Sequence, residues 1–267
     1  MPLVEVNSVR LLVEEAGNGE PLVLVHGSWD DRQAWMFVED DLANSFRVVS
    51  YDRRGHTGSE DSRQPGSRRD DEDDLAAIIE AHGLAPTHLV ANSFGASIAL
   101  SLTARRPELV RSVCAHEPPL MALVADDPVV AQVGERVGAV VSLIDRGDAE
   151  GGARLFVEEV ALGPGAWELM PLEERAAMAA NAGTFVGETR DPDWAVLDLD
   201  GLAAVSCPVL LTQGDQSQPF FAAIISRLAE VMDRAQVTTI PGAGHVPHQT
   251  HPAEWVTVVS EFAREAP

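Results

Sequence analysis

Lysine is absent from the chain. All 19 basic side chains among its 267 residues are arginine, whereas 42 side chains are acidic. Without a lysine the protein cannot form a Schiff base with pyridoxal phosphate or a carbonyl substrate, and it has no phosphate-binding P-loop lysine. The formal net charge of −23 repels phosphate backbones and anionic lipid surfaces. We therefore expect neither a nucleic-acid nor a membrane partner.

Cysteine and long apolar runs are also scarce. The two cysteines, Cys114 and Cys207, lie inside short apolar stretches, so we expect buried free thiols in a reducing compartment, with a disulfide between them as the alternative. No run approaches the length of a membrane span. The first residues lack a basic segment followed by an apolar stretch, and the sequence therefore predicts a cytoplasmic protein.

Six short apolar runs predict strands. They are Leu22–His26, Phe46–Tyr51, Thr87–Ala91, Val110–Ala115, Pro208–Thr212 and Gln236–Ile240. Because the runs are rich in β-branched residues and nearly continuous, they are typical of strands covered on both faces, and hence of a mostly parallel sheet. Helical patterns fall between them, for example at Asp70–His82 and Ser93–Arg105, so the predicted fold class is α/β.

The segment from residue 118 to residue 205 interrupts this alternation. Strand signals stop there, and helical patterns punctuated by glycine and proline replace them. The segment is too long for a loop in a compact domain. We therefore expect a core made of residues 1–117 and 206–267, with residues 118–205 forming a helical cap, or lid, inserted between two strands.

The clearest chemical signal is Ser93, which follows an apolar strand and precedes a helix rich in small residues. The stretch Ala91-Asn92-Ser93-Phe94-Gly95 matches the G-x-S-x-G nucleophile elbow except at Ala91. The turn needs small neighbours because the helix passes close to the strand, and we expect it to tolerate one added methyl group. Ser93 is the predicted nucleophile, and an ordinary helix N-cap is the alternative.

A second strand end supplies candidate donors for an oxyanion. The strand Leu22–His26 runs into Gly27 and Ser28. Acyl transfer passes through tetrahedral intermediates whose oxyanion is stabilised by preorganised N–H groups. We predict the backbone N–H groups of Ser28 and of Phe94, the residue after the nucleophile, as these donors. His26 is expected to hold the loop by hydrogen bonds rather than to act as a base.

The general base is expected late in the chain, where His245, His248 and His251 are spaced as H-x-x-H-x-x-H. Such a series on a helix would suit zinc, but Pro247 and the neighbouring glycines predict a loop, and we expect no metal. His245 follows the last strand in a flexible G-x-G-H turn that carries its imidazole over the sheet edge, so it is the predicted base. His251 precedes the last helix and is expected to be structural, while the role of His248 stays open.

Together these features resemble the α/β-hydrolase superfamily over essentially the whole chain. Besides the elbow, the segment from Tyr51 to Ser59 looks like that fold's Y-D-x-R-G-x-G-x-S stretch, and His245 is followed by Pro252 and a terminal helix. The resemblance implies an α/β-hydrolase fold, a Ser–acid–His triad in that chain order, a backbone oxyanion hole and no cofactor.

The acid of the triad departs from the superfamily's common pattern, which places an Asp in a G-x-x-D turn after the strand Pro208–Thr212. That position is Ser217 here, and Asp215 lies two residues early. Glu117 is the other carboxylate at a strand end, and Pro118 favours an extended conformation that carries its side chain to the site. The stretch around Glu117 is similar to the Cys-His-Glu-Leu-Pro of zearalenone lactonases. We therefore predict Glu117 as the acid, with Asp215, or a hinge role for Glu117, as the alternatives.

A Ser-Glu-His triad predicts a serine hydrolase that cleaves an ester or lactone through an acyl-enzyme. Serine at position 93 excludes the epoxide hydrolases and dehalogenases of the superfamily, which use an aspartate nucleophile, and the missing lysine excludes its hydroxynitrile lyases. Hydrolysis of carbon–carbon bonds and perhydrolysis by the same triad stay open. So does a ligand receptor on the same fold that turns over little.

Trp29, beside the oxyanion loop, and Phe185, in the cap, are predicted as pocket walls. Phe185 is chosen because the stretch Asn181–Phe185 is similar to the cap segment that carries the pocket tryptophan of zearalenone lactonases. No dedicated cation is evident near the site. We therefore expect a neutral, apolar small-molecule ester or lactone rather than a carboxylate-bearing one. The sequence does not indicate an oligomeric state.

Overall fold

The computed structural model describes residues 3–60 and 66–267, and within them the backbone forms one eight-stranded sheet. The strands are Leu3–Val6 (β1), Val9–Ala16 (β2), Glu20–Val25 (β3), Phe46–Tyr51 (β4), Thr87–Asn92 (β5), Val110–His116 (β6), Val209–Gly214 (β7) and Ala235–Ile240 (β8). Their order is β1-β2-β4-β3-β5-β6-β7-β8, and every neighbouring pair from β4 to β8 is parallel. The predicted α/β class with a mostly parallel sheet is confirmed, and all six predicted strands are present.

The hairpin β1–β2 is absent from the sequence prediction. The chain reverses at Asn7 and Ser8, whose φ angles are 45° and 66°. Positive φ at both central residues suits a two-residue hairpin turn. Val9, Leu11 and Val13 alternate inward from β2, but charged residues between them break the continuous apolar run that the prediction requires.

Helices connect the strands. They are Glu39–Ala43 (α1), Arg68–Ala81 (α2), Phe94–Arg105 (α3), Pro128–Asp145 (α4), Ala149–Phe156 (α5), Ala166–Leu169 (α6), Leu172–Ala180 (α7), Ala182–Arg190 (α8), Leu199–Ala203 (α9), Pro219–Val231 (α10), Pro247–Thr250 (α11) and Pro252–Glu265 (α12). Helix α2 begins earlier than predicted because Ser67 and Asp70 form a capping box in front of it. No helix among the described residues is long and apolar enough to cross a membrane.

Successive residues of the central strands alternate between two apolar cores, one on each face of the sheet. Leu22 and Leu24 belong to the core that α1 and α12 close with residues such as Trp255. Val23 and Val25 belong to the larger core, to which α2, α3 and α10 contribute. Cys114 is buried, Cys207 is partly buried, and both thiols are free.

Helices α4 to α9 all lie between β6 and β7, in the segment predicted as a cap. Every residue from 118 to 205 is described, and none of them is in a strand. Buried side chains of these helices, among them Val140 and Phe185, continue the larger core without a break. The helical segment therefore packs on the same apolar core as the sheet.

Candidate active site

Ser93 lies in the sharp turn between β5 and α3. Its φ of 55° and ψ of −126° are a strained conformation for a residue with a side chain. The helix passes so close to β3 that a Cβ on Gly95 would overlap the carbonyl oxygens of Val25 and His26. Ala91 is fully buried and is accommodated by the turn. This strand–turn–helix geometry is that of a nucleophile elbow.

His245 and Glu117 meet at the same edge of the sheet. The Nδ1 atom of His245 lies 2.7 Å from Oε2 of Glu117. The other carboxylate oxygen of Glu117 accepts a hydrogen bond of 2.8 Å from the N–H of Gly214. The ring of Phe221 stacks on the imidazole with a centroid distance of 4.4 Å, and Asn92 donates to the His245 carbonyl at 2.9 Å. The imidazole is therefore held at Nδ1 by Glu117 and on one face by Phe221, while Asn92 anchors the backbone of His245.

The backbone of Glu117 differs from the prediction. Its φ is 45°, in the left-handed region, whereas its position before Pro118 predicts an extended conformation. Long-range contacts outweigh that local preference, because the Glu117 N–H donates to the Thr212 carbonyl at 3.2 Å while the carboxylate binds Gly214 and His245. Strain at a residue with such contacts is typical of functional sites.

The protonation state of Glu117 follows from these partners. Burial alone would raise the pKa of its carboxyl, but the hydrogen bond from His245 is the leading opposing cause, and the pKa is lowered to about 2. Behind it, burial lowers the pKa of His116 to about 4. Glu117 is therefore ionised beside a neutral His116 at neutral pH, and it is placed to stabilise a positive charge on His245.

Asp215, the alternative acid, points elsewhere. Its Oδ1 accepts hydrogen bonds from the N–H of Gly242 at 2.8 Å and from the side chain of Gln216 at 3.0 Å. The residue is exposed and fixes the turn that leads to His245. The structure thus brings Ser93, Glu117 and His245 together and leaves Asp215 outside the group.

The loop after β3 lies directly against Ser93. A Cβ on Gly27 would lie 3.1 Å from the Cβ of Ser93, so glycine allows this close approach. The neighbouring Ser28 lines the same cavity as Ser93. Within residues 3–60 and 66–267, no protein group accepts a hydrogen bond from the N–H of Ser28 or of Phe94. His26 is buried, and its Nε2 accepts from the N–H of Arg53 at 3.0 Å, which holds the loop.

The other late histidines have different surroundings. Pro247 begins a single helical turn rather than the predicted loop, because proline is well suited to the first position of a helix. His248, inside that turn, is fully buried between Trp35 and Trp255, and burial lowers its pKa well below the ordinary value. His251 lies partly exposed in front of α12.

Among the described residues, one group of three potential metal-ligating atoms lies within 4.8 Å, and it consists of His116, Glu117 and His245. It is not the H-x-x-H-x-x-H series, of which it contains only His245. Two of its members are already joined by the short hydrogen bond between His245 and Glu117. The group thus coincides with the acid–histidine pair.

Two cavities meet at Ser93 and His245. The first is lined mainly by apolar and aromatic side chains, which include Met121, Val137, Phe156, Phe185, Trp194 and Phe221. The second is also lined by two acidic residues, Asp30 and Glu174. Of the two predicted pocket residues, Phe185 lines the first cavity. Trp29 lines neither cavity: it is fully buried, its ring 4.8 Å from that of Phe185 and 5.3 Å from that of Phe156.

Comparison with known proteins bears on the fold and the family. A model of the alpha/beta hydrolase family matches residues 22–258, most of the chain. The chain belongs to the alpha/beta hydrolase family. This hydrolase is 27% identical to a 2-(acetamidomethylene)succinate hydrolase of Mesorhizobium japonicum, over 97% of the chain and 93% of the relative. It is also 28% identical to a pimeloyl-[acyl-carrier protein] methyl ester esterase of Chromobacterium violaceum, over 95% and 98% respectively.

Solved structures share the fold of the hydrolase. The structure described as Est816, an N-acyl homoserine lactone degrading enzyme, superposes with a TM-score of 0.80 at 23% identity, over 98% of this chain and 100% of the other. At that identity the likeness concerns the fold alone. The expected α/β-hydrolase fold is confirmed, and the hydrolase has relatives that act on different substrates.

The sequence analysis did not identify several residues that contact or line the site. Phe221 stacks on His245, but it lies in an ordinary amphipathic helix. Asp30 lies two residues after Ser28, and this position next to a predicted site residue is a signal that could have identified it. Glu174 is one of many acidic residues between residues 118 and 205, and no local pattern distinguishes it from the others.

Proposed function

We propose that this hydrolase cleaves neutral carboxylic esters or lactones by acyl transfer to Ser93. The observation that supports the proposal most strongly is the strained Ser93 at the end of β5, in a cavity it shares with a His245 that is hydrogen-bonded to an ionised Glu117. Serine in such surroundings acts as a nucleophile when an adjacent base removes its proton.

The steps follow from the atoms that are available. Because Nδ1 of His245 faces Glu117, its Nε2 accepts the Ser93 proton while Oγ attacks the carbonyl carbon. The N–H groups of Ser28 and Phe94 bind the resulting oxyanion. His245 then protonates the leaving alkoxide, and the acyl group stays on Ser93. Water, deprotonated by His245, attacks the acyl-enzyme and releases the acid, which restores Ser93.

A panel of p-nitrophenyl esters of increasing chain length, together with an acyl homoserine lactone and the macrocyclic lactone zearalenone, tests this activity. The lactones are included because the stretch around Glu117 resembles that of zearalenone lactonases and because the fold matches that of Est816. Steady turnover far above one ester per protein, abolished by a fluorophosphonate serine probe, supports the proposal. A folded protein that hydrolyses none of these compounds would favour the receptor alternative.

The acidic residues of the second cavity disfavour substrates that carry a carboxylate. Asp30 and Glu174 line it beside Ser93. Burial, then the charges of Glu174 and Asp31, raise the pKa of Asp30 to about 7. Since this pKa is raised, Asp30 is protonated below pH 7 and becomes negative above it. A substrate carboxylate placed here meets a repulsion that grows with pH.

We expect the hydrolase to prefer p-nitrophenyl valerate over the mono-p-nitrophenyl ester of glutaric acid, in which a carboxylate replaces the terminal methyl group. The expected ratio of kcat/KM is about tenfold, since a like charge at contact distance costs on the order of 1–4 kcal/mol. The ratio should increase between pH 6 and pH 8 as Asp30 ionises.

Substituting the two acidic residues tests whether they cause this repulsion. Asp30→Asn combined with Glu174→Gln should reduce the preference towards unity, while Glu173→Gln, an exposed neighbour on α7, should leave it unchanged. Equal rates on the two esters in the wild-type protein, or a preference for the glutarate, would show that the acidic cavity does not select the substrate.

A further inference from the structure

Helix α8 of the cap holds the loop that follows β3. Glu188, in the last turn of α8, accepts a hydrogen bond of 2.5 Å from the hydroxyl of Ser28. At the other end of the helix, Asn181 donates to the carbonyl of Trp29 at 3.0 Å and to that of Asp30 at 3.2 Å. Three consecutive loop residues, starting with a proposed oxyanion donor, therefore have partners in the cap.

Glu188 is in turn fixed by a buried arginine. The Nη2 atom of Arg53 lies 2.5 Å from Oε1 of Glu188 and donates to the carbonyl of Gly27 at 3.1 Å. The same guanidinium lies over the ring of Phe94, 5.1 Å from its centroid. Arg53 therefore contacts the backbone of Gly27, the residue before Ser28, and the side chain of Phe94, the residue after Ser93.

Arg53 has a second carboxylate partner besides Glu188. Asp71, on α2, already lies 3.0 Å from Nη1 of the arginine. Glu188 comes from a different layer of the molecule, is only 5% exposed, and uses its second oxygen for Ser28. That arrangement joins a cap helix to the oxyanion loop, which a counterion for Arg53 alone would not do.

We propose that Glu188, oriented by Arg53, is a positioning residue that holds Ser28 so that its backbone N–H points at the developing oxyanion. The inference rests on the proposed acyl transfer at Ser93. An N–H donor is effective only within about 2.7–3.1 Å of the oxyanion, and a displacement of about 1 Å can cost about a hundredfold in rate. It follows that the oxyanion hole is complete only while α8 is docked on the loop.

The test compares Glu188→Ala, Glu188→Gln and Ser28→Ala with wild type on p-nitrophenyl butyrate. Glu188→Ala removes both the ion pair and the acceptor for Ser28, and its kcat should fall about 10- to 100-fold with KM changed less than about threefold, because the oxyanion exists only after attack. A trifluoromethyl ketone, whose adduct with Ser93 carries an oxyanion in the same place, should lose affinity by the same factor as kcat/KM.

Three comparisons separate positioning from general damage. Ser28→Ala keeps the backbone N–H and removes only the hydroxyl contact with Glu188, so it should show the same pattern, and the double variant with Glu188→Ala should be no slower than Glu188→Ala alone. Arg190→Gln, which breaks an exposed ion pair with Asp145 on the same helix, should leave kcat and inhibitor affinity unchanged.

The results distinguish this inference from the proposed function. A wild-type protein that neither turns over esters nor reacts at Ser93 would contradict the proposed function itself. A wild-type protein that works through Ser93, with Glu188→Gln and Ser28→Ala variants that keep both kcat and inhibitor affinity, would overturn the positioning role alone. If Glu188→Ala unfolds at the assay temperature, those two milder variants decide the question.

Discussion

Replacing Ser93 by alanine is expected to lower kcat for p-nitrophenyl butyrate by about a millionfold. The residual rate would come from the oxyanion donors and from substrate binding, which the substitution leaves in place. In the proposed mechanism Oγ of Ser93 forms the bond to the acyl carbon, so no other group can complete the first half-reaction. The measurement is the release of p-nitrophenolate by purified protein, with the fold checked by circular dichroism.

Ser97 provides a matched control for this substitution. It lies one turn further along α3 and is fully buried, and its hydroxyl has no hydrogen-bond partner among the described residues. Ser97→Ala should therefore keep wild-type kcat within about twofold, since it removes one unpaired hydroxyl away from the reacting atoms. Equal activity of Ser93→Ala and Ser97→Ala would rule out Ser93 as the nucleophile.

Replacing Glu117 by glutamine is expected to lower kcat by about ten-thousandfold, the loss typical when the triad acid becomes an amide. The amide of glutamine donates to Nδ1 of His245 and leaves the proton on Nε2, so the imidazole can no longer accept the Ser93 proton. It also removes the charge that stabilises the imidazolium. KM should change little, because Glu117 faces His245 and not the cavity.

Asp215→Asn is the matched control for Glu117→Gln, because each removes one carboxylate charge at the end of a neighbouring strand. Asn keeps an oxygen that accepts from Gly242, so kcat should stay within about threefold of wild type, as for an exposed site away from the reacting atoms. The reverse result, an inactive Asp215→Asn variant and an active Glu117→Gln variant, would show that the acid of the triad is Asp215.

The location of the site could be predicted because it depends on strand ends. Parallel strands place their carboxyl ends at one edge, so Ser93, Glu117 and His245 had to lie near one another once β5, β6 and β8 were identified. The same logic placed Ser28 beside Ser93. Local patterns were sufficient for these residues, because each of them lies directly after a predicted strand or in the turn that follows that strand.

Other features depend on contacts that no local pattern carries. The ion pair between Arg53 and Glu188 joins residues 135 positions apart. No sequence pattern distinguishes either residue from the other charged residues of the chain. The positive φ of Glu117 contradicts the preference that Pro118 imposes, because three hydrogen bonds from distant segments hold it. In β2 of the hairpin, charged residues interrupt the apolar residues instead of leaving a continuous apolar run. A search for continuous apolar runs therefore overlooks this strand.

Acyl-enzyme trapping tests the central claim, covalent catalysis by Ser93, most directly. Wild-type protein is mixed with the p-nitrophenyl ester of a bulky, slowly released acid, quenched in acid and analysed by mass spectrometry of intact protein and peptides. We expect one acyl group per chain on the peptide that contains Ser93, matched by an initial burst of one p-nitrophenolate. Steady ester hydrolysis without acylation of Ser93, or acylation elsewhere that persists in Ser93→Ala, would contradict the account.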